Sequence, residues 1–353
     1  MSSSDAAAPF GACPVPLTEV REILMGHGSG GKLTARLVEQ LLLPAFRNPM
    51  LEPLDDQAWV DAGGARLAFT TDSYVVTPLF FPGGDIGEPA VNGTVNDLAM
   101  GGARPLFLSL ALILEEGLAL SELERVIASI RRAAEAAGVQ VVTGDTKVVD
   151  RGKGDKVFVN TAGIGVALPG AELSSRRVAA GDAILLSGAV GDHGVTILSQ
   201  REGLAFGGEV RSDTAPLHGL VAALLEAFPG VHAMRDPTRG GLASALCEIA
   251  GRRRLGVEVD ERAVPVHDGV RGACELLGLD PFVVANEGKL VAFVPEAGAE
   301  RALAALRSHP LGREAARIGR VVAEHPGFVT LRTPIGGQRI LDLPYGESLP
   351  RIC

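Results

Sequence analysis

Strand-length apolar runs and amphipathic helical patterns alternate along nearly the whole chain, which confines it to layered folds in which helices cover sheets. Val60 to Asp72 reads as two short strands around Gly63-Gly64, with Val75-Val76 resuming the β pattern after a break at Asp72. Asn92 to Met100 reads as a helix closed by Gly101-Gly102, and Leu106 to Leu114 is a continuous apolar run suited to a buried strand. The clearest helix starts at a capping box, Ser121-Glu122-Leu123-Glu124, and stops at Gly138, directly before a strand from Val139 to Thr143. Phe158 to Val166 is a further strand. Beyond it, Ala183 to Ser187, Pro216 to Phe228, Gly241 to Ala250, Lys289 to Val294 and Glu296 to Arg307 read as strand, helix, helix, strand and helix. An α/β (α+β) fold follows, rather than a helical bundle or a β-sandwich.

A chain of 353 residues exceeds what one hydrophobic core usually serves, so two domains are expected. The break falls near Pro169-Gly170 and Ser174-Ser175-Arg176-Arg177. It divides the chain into a glycine-rich N-terminal segment 1–44, a domain 45–168, a second α/β domain 169–333 and a tail 334–353 with little regular structure. A net charge of −9, with two tyrosines and one tryptophan to stack on bases, argues against nucleic acid. Neither Met1-Ser2-Ser3-Ser4-Asp5 nor any later stretch offers a secretory signal or the roughly 20 apolar residues of a membrane span, and a cytoplasmic protein is expected. The four cysteines, at 13, 247, 274 and 353, lack paired CxxC spacing and suggest neither a zinc site nor a disulfide framework. Cys247 and Cys274 lie in apolar surroundings and read as small core hydrophobes.

Two patterns point to chemistry. Gly26-His27-Gly28-Ser29-Gly30-Gly31-Lys32-Leu33 has the glycine and lysine spacing of a phosphate-binding P-loop, with Leu33 where the magnesium-binding hydroxyl belongs. That motif therefore fails literally, but open backbone N–H groups still suit an anion. Leu33, Leu37 and Leu41 then share a helical face. The second pattern is an aspartate wherever an apolar segment breaks: Asp72, Asp97, Asp145, Asp192 and Asp236, mostly beside glycine. Carboxylates at strand ends are what a magnesium–triphosphate site needs, because Mg²⁺ takes hard oxygen ligands and shares its shell with phosphates. A thiol, Cys353, stands at the end of the tail, where an arm could swing between a site and a partner.

The segments VNDLAMGGARP, TGDTKVV and DPTRGG, with the glycine loop, resemble the ATP-binding superfamily of aminoimidazole ribonucleotide synthetase, selenophosphate synthetase and thiamine-monophosphate kinase. With Asn286-Glu287-Gly288 and the terminal Pro-Arg-Ile-Cys, the chain resembles over its whole length the HypE family of carbamoyl dehydratases of [NiFe]-hydrogenase maturation. The resemblance implies a two-domain PurM-like fold, a homodimer whose N-terminal domains form a β-barrel interface, and ATP with Mg²⁺ as cofactors. It implies Asp72, Asp97, Asp145 and Asp236 as ligands of metal and ATP, Asn96, Gly30 and Lys32 as further ATP contacts, and Cys353 as the carrier of a thiocarbamate. Glu287 and Lys147 would handle the protons. The partners implied are the carbamoyltransferase HypF as donor and the HypC–HypD iron complex as acceptor. His27, His193 and His232 read as bystanders, His27 being the foremost exception. The alternative is a small-molecule synthetase or kinase of the same superfamily; the glycine loop lacks the sulfur that selenophosphate synthetases carry there.

Overall fold

The structure, a computed structural model, describes residues 22–204, 210–344 and Ile352. Two sheets organise them. The first joins β1 (Ala58–Ala62), β2 (Ala65–Tyr74), β5 (Ala103–Glu115), β6 (Gln140–Val149) and β7 (Val157–Ala167) in the order β1-β2-β7-β5-β6. A small hairpin, β3 (Phe80–Phe81) and β4 (Gly84–Asp85), lies apart from it. The second sheet joins β8 (Asp182–Leu186), β9 (Ala233–Arg235), β10 (Gly256–Asp260), β11 (Val291–Pro295), β12 (Ala316–Val322), β13 (Val329–Arg332) and β14 (Gln338–Leu341), in the order β14-β13-β10-β12-β8-β11-β9. Both sheets are open, and no closed barrel occurs among the described residues.

Helices α1 (Lys32–Leu37) and α2 (Leu43–Phe46) are joined by a π-helical turn, Val38–Leu42, which breaks the 3.6-residue period, and Leu41 is exposed rather than sharing the buried position of Leu33. Helices α3 (Gly87–Met100) and α4 (Leu120–Ala137) cover the inner face of the first sheet. The outer face is bare and carries an apolar row, Phe69, Ile164 and Phe107, in register across three strands. On the second sheet α6 (His218–Ala227) and α9 (Ala299–Ser308) build one core and α7 (Gly241–Arg253) another, while α5 (Asp192–Glu202) and α8 (Asp268–Leu277) meet in a smaller cluster.

Several sequence expectations shift. Helix α4 begins at Leu120 with Ala119 as N-cap, so Ser121 is inside the helix and no capping box forms; its end at Gly138, left-handed at φ 68°, is as read. Strand β2 does not break at Asp72, and β6 does not end at Thr143 but runs on through Asp145 and Lys147. Within the stretch read as structureless tail, Gln338–Leu341 is a strand paired with β13. No helix among the described residues is long and apolar enough to cross a membrane.

Candidate active site

Helix α3 is buried at every position but Glu88 and Asp97, as a helix wedged between two layers must be, so Asp97 is the polar group it turns toward an opening. Strand β2 meets it with Thr70, Asp72 and Tyr74, which share the inward face by the strand's two-residue period. The Thr70 hydroxyl lies 2.7 Å from Asp97 Oδ2 and 2.9 Å from the Asp56 carbonyl; with one proton it can donate to only one of them. Tyr74 donates to Asp72 Oδ2 at 3.1 Å, and its hydroxyl lies over Gly93 of α3, where a β-carbon would come within 2.0 Å.

Asp236 arrives from the end of β9 on the loop to α7. Gly240 and Gly241, both left-handed, make the turn, and Gly241 is packed so closely that a β-carbon would meet the Phe282 and Val284 carbonyls at 2.6 Å. Asn286 pins this loop, donating through Nδ2 to the Pro237 carbonyl at 2.7 Å and accepting from the Gly191 N–H at 2.7 Å. Glu287 follows, almost fully buried, with its backbone N–H on Asp213 Oδ1 at 3.0 Å; Lys289 closes a buried ion pair with Asp213 at 2.9 Å.

The outcome is a knot of negative charge. Carboxylate oxygens of Asp56, Asp97 and Asp236 lie within 4.8 Å of one another, and Asp72 and Glu287 line a narrow cleft with Asp97 and Asp236. Burial, then Asp72, Asp236 and Asp56, push the Asp97 carboxyl well above its usual range; burial and then Asp72 push Asp236 up to about 6. The Tyr74 phenol is likewise raised by burial, then by Asp72, Glu287 and Asp97. The nearest buried cation, Arg235, is committed to Asp56 and Glu248. Crowded hard-oxygen donors with raised proton affinity are the chemistry that a divalent cation satisfies.

Beside the knot, and sharing Asp56 and Thr70 with it, is a cleft of about 560 Å³ bordered by Gly30, Gly31, Thr34 and Arg252. The glycine loop is held there by close backbone approach: a β-carbon on Gly30 would meet the Arg239 carbonyl at 2.6 Å, and one on Gly31 the Pro344 carbonyl at 2.2 Å. Lys32 pairs with Asp342 at 2.5 Å, which ties the loop to the C-terminal segment. The Asn96 side chain is used on the backbone, donating to the Ala215 carbonyl at 3.1 Å and accepting from the Leu217 N–H at 2.7 Å.

Of the residues expected from sequence, Asp72, Asp97, Asp236 and Glu287 therefore converge, and Gly30 borders the adjoining cleft. Asp145 and Lys147 do not join them within one chain. They lie 69% and 73% exposed on edge strand β6, and among the described residues each has the other as its ion partner, at 3.8 Å. Cys353 and Cys13 lie outside the described residues. Cys247 and Cys274 have thiols pushed by burial up to about 12 and about 11, which fits core packing rather than reactivity. Asp56, Thr70 and Tyr74 were missed: no glycine flanks Asp56, and Thr70 and Tyr74 look like ordinary strand residues. Among the histidines, His27 Nδ1 accepts from the Leu24 N–H of its own turn at 2.9 Å, and His232 is bound to Asp182 at 2.8 Å. His193 is fully buried, and its Nε2 lies 2.9 Å from the Ile352 carbonyl.

Fold and carboxylate knot together define an AIR synthase related protein, whose N-terminal domain matches residues 54–167 and whose C-terminal domain matches residues 179–332. The carbamoyl dehydratase HypE of Azotobacter vinelandii is 56% identical over 93% of this chain and 96% of its own length. The carbamoyl dehydratase HypE of Escherichia coli is 51% identical over 95% of this chain and 100% of its own. Among solved structures, a chain of a HypE–HypF complex matches with a TM-score of 0.83 and 44% identity over 87% of this chain and 99% of that one. A HypE in complex with ATP matches with a TM-score of 0.79 and 53% identity over 94% and 100%. The chain belongs to the HypE family of carbamoyl dehydratases.

Proposed function

We propose that this chain dehydrates a carbamoyl group, carried as a thiocarbamate on Cys353, to a thiocyanate that supplies cyanide to hydrogenase iron, with ATP driving the step. The convergence of Asp72, Asp97, Asp236 and Glu287 on one cleft supports this most directly. Close by, Ile352 shares a hydrophobic cluster with Tyr74 and with Ala285, two residues before Glu287. Hydroxide leaves an amide poorly. Attack of the thiocarbamate oxygen on the γ-phosphorus forms a C–O–P link and releases ADP, and one N–H proton passes to a base. Cleavage of the C–O bond then expels phosphate, the second N–H proton leaves, and S–C≡N remains. Glu287, buried at the cleft wall, and Lys147 would take these protons.

ATP would occupy the 560 Å³ cleft, with the Gly30 and Gly31 backbone against its phosphates. Asp56, Asp72, Asp97 and Asp236 would hold Mg²⁺, whose charge would stabilise the triphosphate when bound. Asn96 acts on this site by clamping the loops that bear Ala215 and Glu287 rather than through a direct ATP contact.

The chain would act as a homodimer. The exposed row Phe69, Ile164 and Phe107 and the unpaired edge of β6 are surfaces that a second copy would cover, closing the two sheets toward a barrel. That pairing gives Asp145 and Lys147 a route to the partner's cleft. HypF as carbamoyl donor is supported by the solved HypE–HypF complex; the HypC–HypD complex as acceptor rests on family resemblance. The test is mass spectrometry of the C-terminal peptide after incubation with the carbamoyltransferase, carbamoyl phosphate and MgATP. A Cys353 adduct that loses one water only with hydrolysable ATP is expected, whereas an unmodified Cys353 beside ordinary ATP turnover would point to a small-molecule kinase or synthetase.

A further inference from the structure

His193 was set aside as a bystander, yet its surroundings are built for one purpose. The ring is fully buried at the start of α5, and the edge of Phe81 meets it at 90° with centroids 5.6 Å apart. The Thr214 N–H donates to Ser212 Oγ at 3.2 Å, so the Ser212 hydroxyl is free to donate to His193 Nδ1 at 2.8 Å. The Ile352 carbonyl, 2.9 Å from Nε2, can only accept, so the proton of the neutral ring is on Nε2 and Nδ1 accepts from Ser212. Burial holds the imidazole below its usual proton affinity and so neutral, as this tautomer requires. The Ile352 side chain, 4% exposed, packs in the cluster of Tyr74, Phe81, Ile197 and Ala285. The residue after Ser212 is Asp213, whose carboxylate holds the Glu287 backbone N–H. One short loop thus supports both the imidazole that grips Ile352 and the backbone of the glutamate.

We propose that His193 is a positioning residue that holds the C-terminal segment by its penultimate carbonyl and so sets Cys353 in register with Glu287. This rests on the dehydratase reading for its consequence in turnover but not for the contact itself. Cys353 is one peptide unit, about 3.8 Å Cα to Cα, beyond the gripped residue, so fixing that carbonyl sharply restricts where the thiocarbamate can go.

The test uses the full chain. His193→Phe keeps the ring's bulk without its donor, His193→Gln keeps a donor near Nε2, and Ser212→Ala loosens the ring from the opposite side. Two rates are read: alkylation of Cys353, mapped by mass spectrometry, and ATP-dependent loss of water from protein already carbamoylated. In His193→Phe, alkylation should rise and dehydration fall by roughly three- to tenfold, the equilibrium worth of one hydrogen bond. Carbamoyl loading, which also needs the tail released, should be no slower than in the parent, and His193→Gln should recover most of both effects. A smaller shift in the same directions is expected for Ser212→Ala, which serves if His193→Phe does not fold. Folded variants with unchanged alkylation and dehydration overturn the proposal. If the parent protein itself never loses water, the dehydratase reading falls, and the alkylation rates still decide whether His193 holds the tail.

Discussion

At the scale of single residues, the site is defined by carboxylates kept where they are electrostatically expensive. Asp97 is held well above its usual value, by burial first and then by Asp72, Asp236 and Asp56. A carboxyl whose folded-state value is raised binds more protons folded than unfolded, so metal-free stability falls as pH climbs from about 4, its unfolded value, through the folded one. Asp97→Asn keeps an acceptor for Thr70 and removes that charge. Without metal it should melt roughly 1–3 °C above the parent near neutral pH, with no difference at or below about pH 4. It should also lose ATP turnover. Thermal melts across pH with chelator present check the first outcome, and a pH-independent difference would count against the charge argument. Asp72, Asp97 and Asp236 were legible as a set because each interrupts an apolar segment, and Glu287 through the resemblance carried by Asn286-Glu287-Gly288; Asp145 and Asp192 share the aspartate pattern and lie elsewhere, paired with Lys147 and His267. Asp56 was not legible, since its role depends on β9 and α3 meeting it from distant parts of the chain.

At the scale of elements, helix α3 approaches β2 closely only because Gly93 leaves room for the Tyr74 hydroxyl. Gly93→Ala places a methyl 2.0 Å from that oxygen, too close to coexist, and neither wedged partner can retreat freely. The substitution should destabilise the protein by about 1–3 kcal/mol and impair ATP turnover by disturbing Asp72, to which Tyr74 donates. Gly93→Ala with Tyr74→Phe should regain most of the stability, since the oxygen in conflict is gone. Denaturant unfolding of the three proteins checks this, and a double variant no better than the single would refute the steric cause. Strands β5 and β7 were readable from their apolar runs, but β5 is not the buried strand its run suggested: Phe107 and Ile113 are exposed on the bare face of the sheet. Strand β6 was cut short because its residues from Gln140 to Val148 are exposed in the single chain, so no alternation marks its length. The aspartates expected at strand ends consequently divide into Asp97 and Asp236, which lie beside openings, and Asp145, which lies within an edge strand.

At the scale of the whole molecule, the single chain holds a cleft with carboxylates and Glu287 in place, while Lys147 stands on an exposed edge beside a bare apolar face. A lysine needed at the site can reach it from a second copy, and that possibility has an arithmetic signature. Asp97→Asn and Lys147→Ala should each be inactive alone. In a two-fold dimer with Lys147 acting across the interface, a mixed dimer has one cleft with both substitutions and one with neither. An equal, freely exchanged mixture should therefore recover about a quarter of parental activity, because half the dimers are mixed and each mixed dimer has one intact cleft. If Lys147 acts within its own chain, every cleft in the mixed dimer carries one substitution and the mixture stays inactive. Co-expression with two affinity tags, followed by assay of the doubly tagged fraction, separates these cases. Activity in that fraction, at about half that of the parental dimer, is the outcome expected from the exposed position of β6.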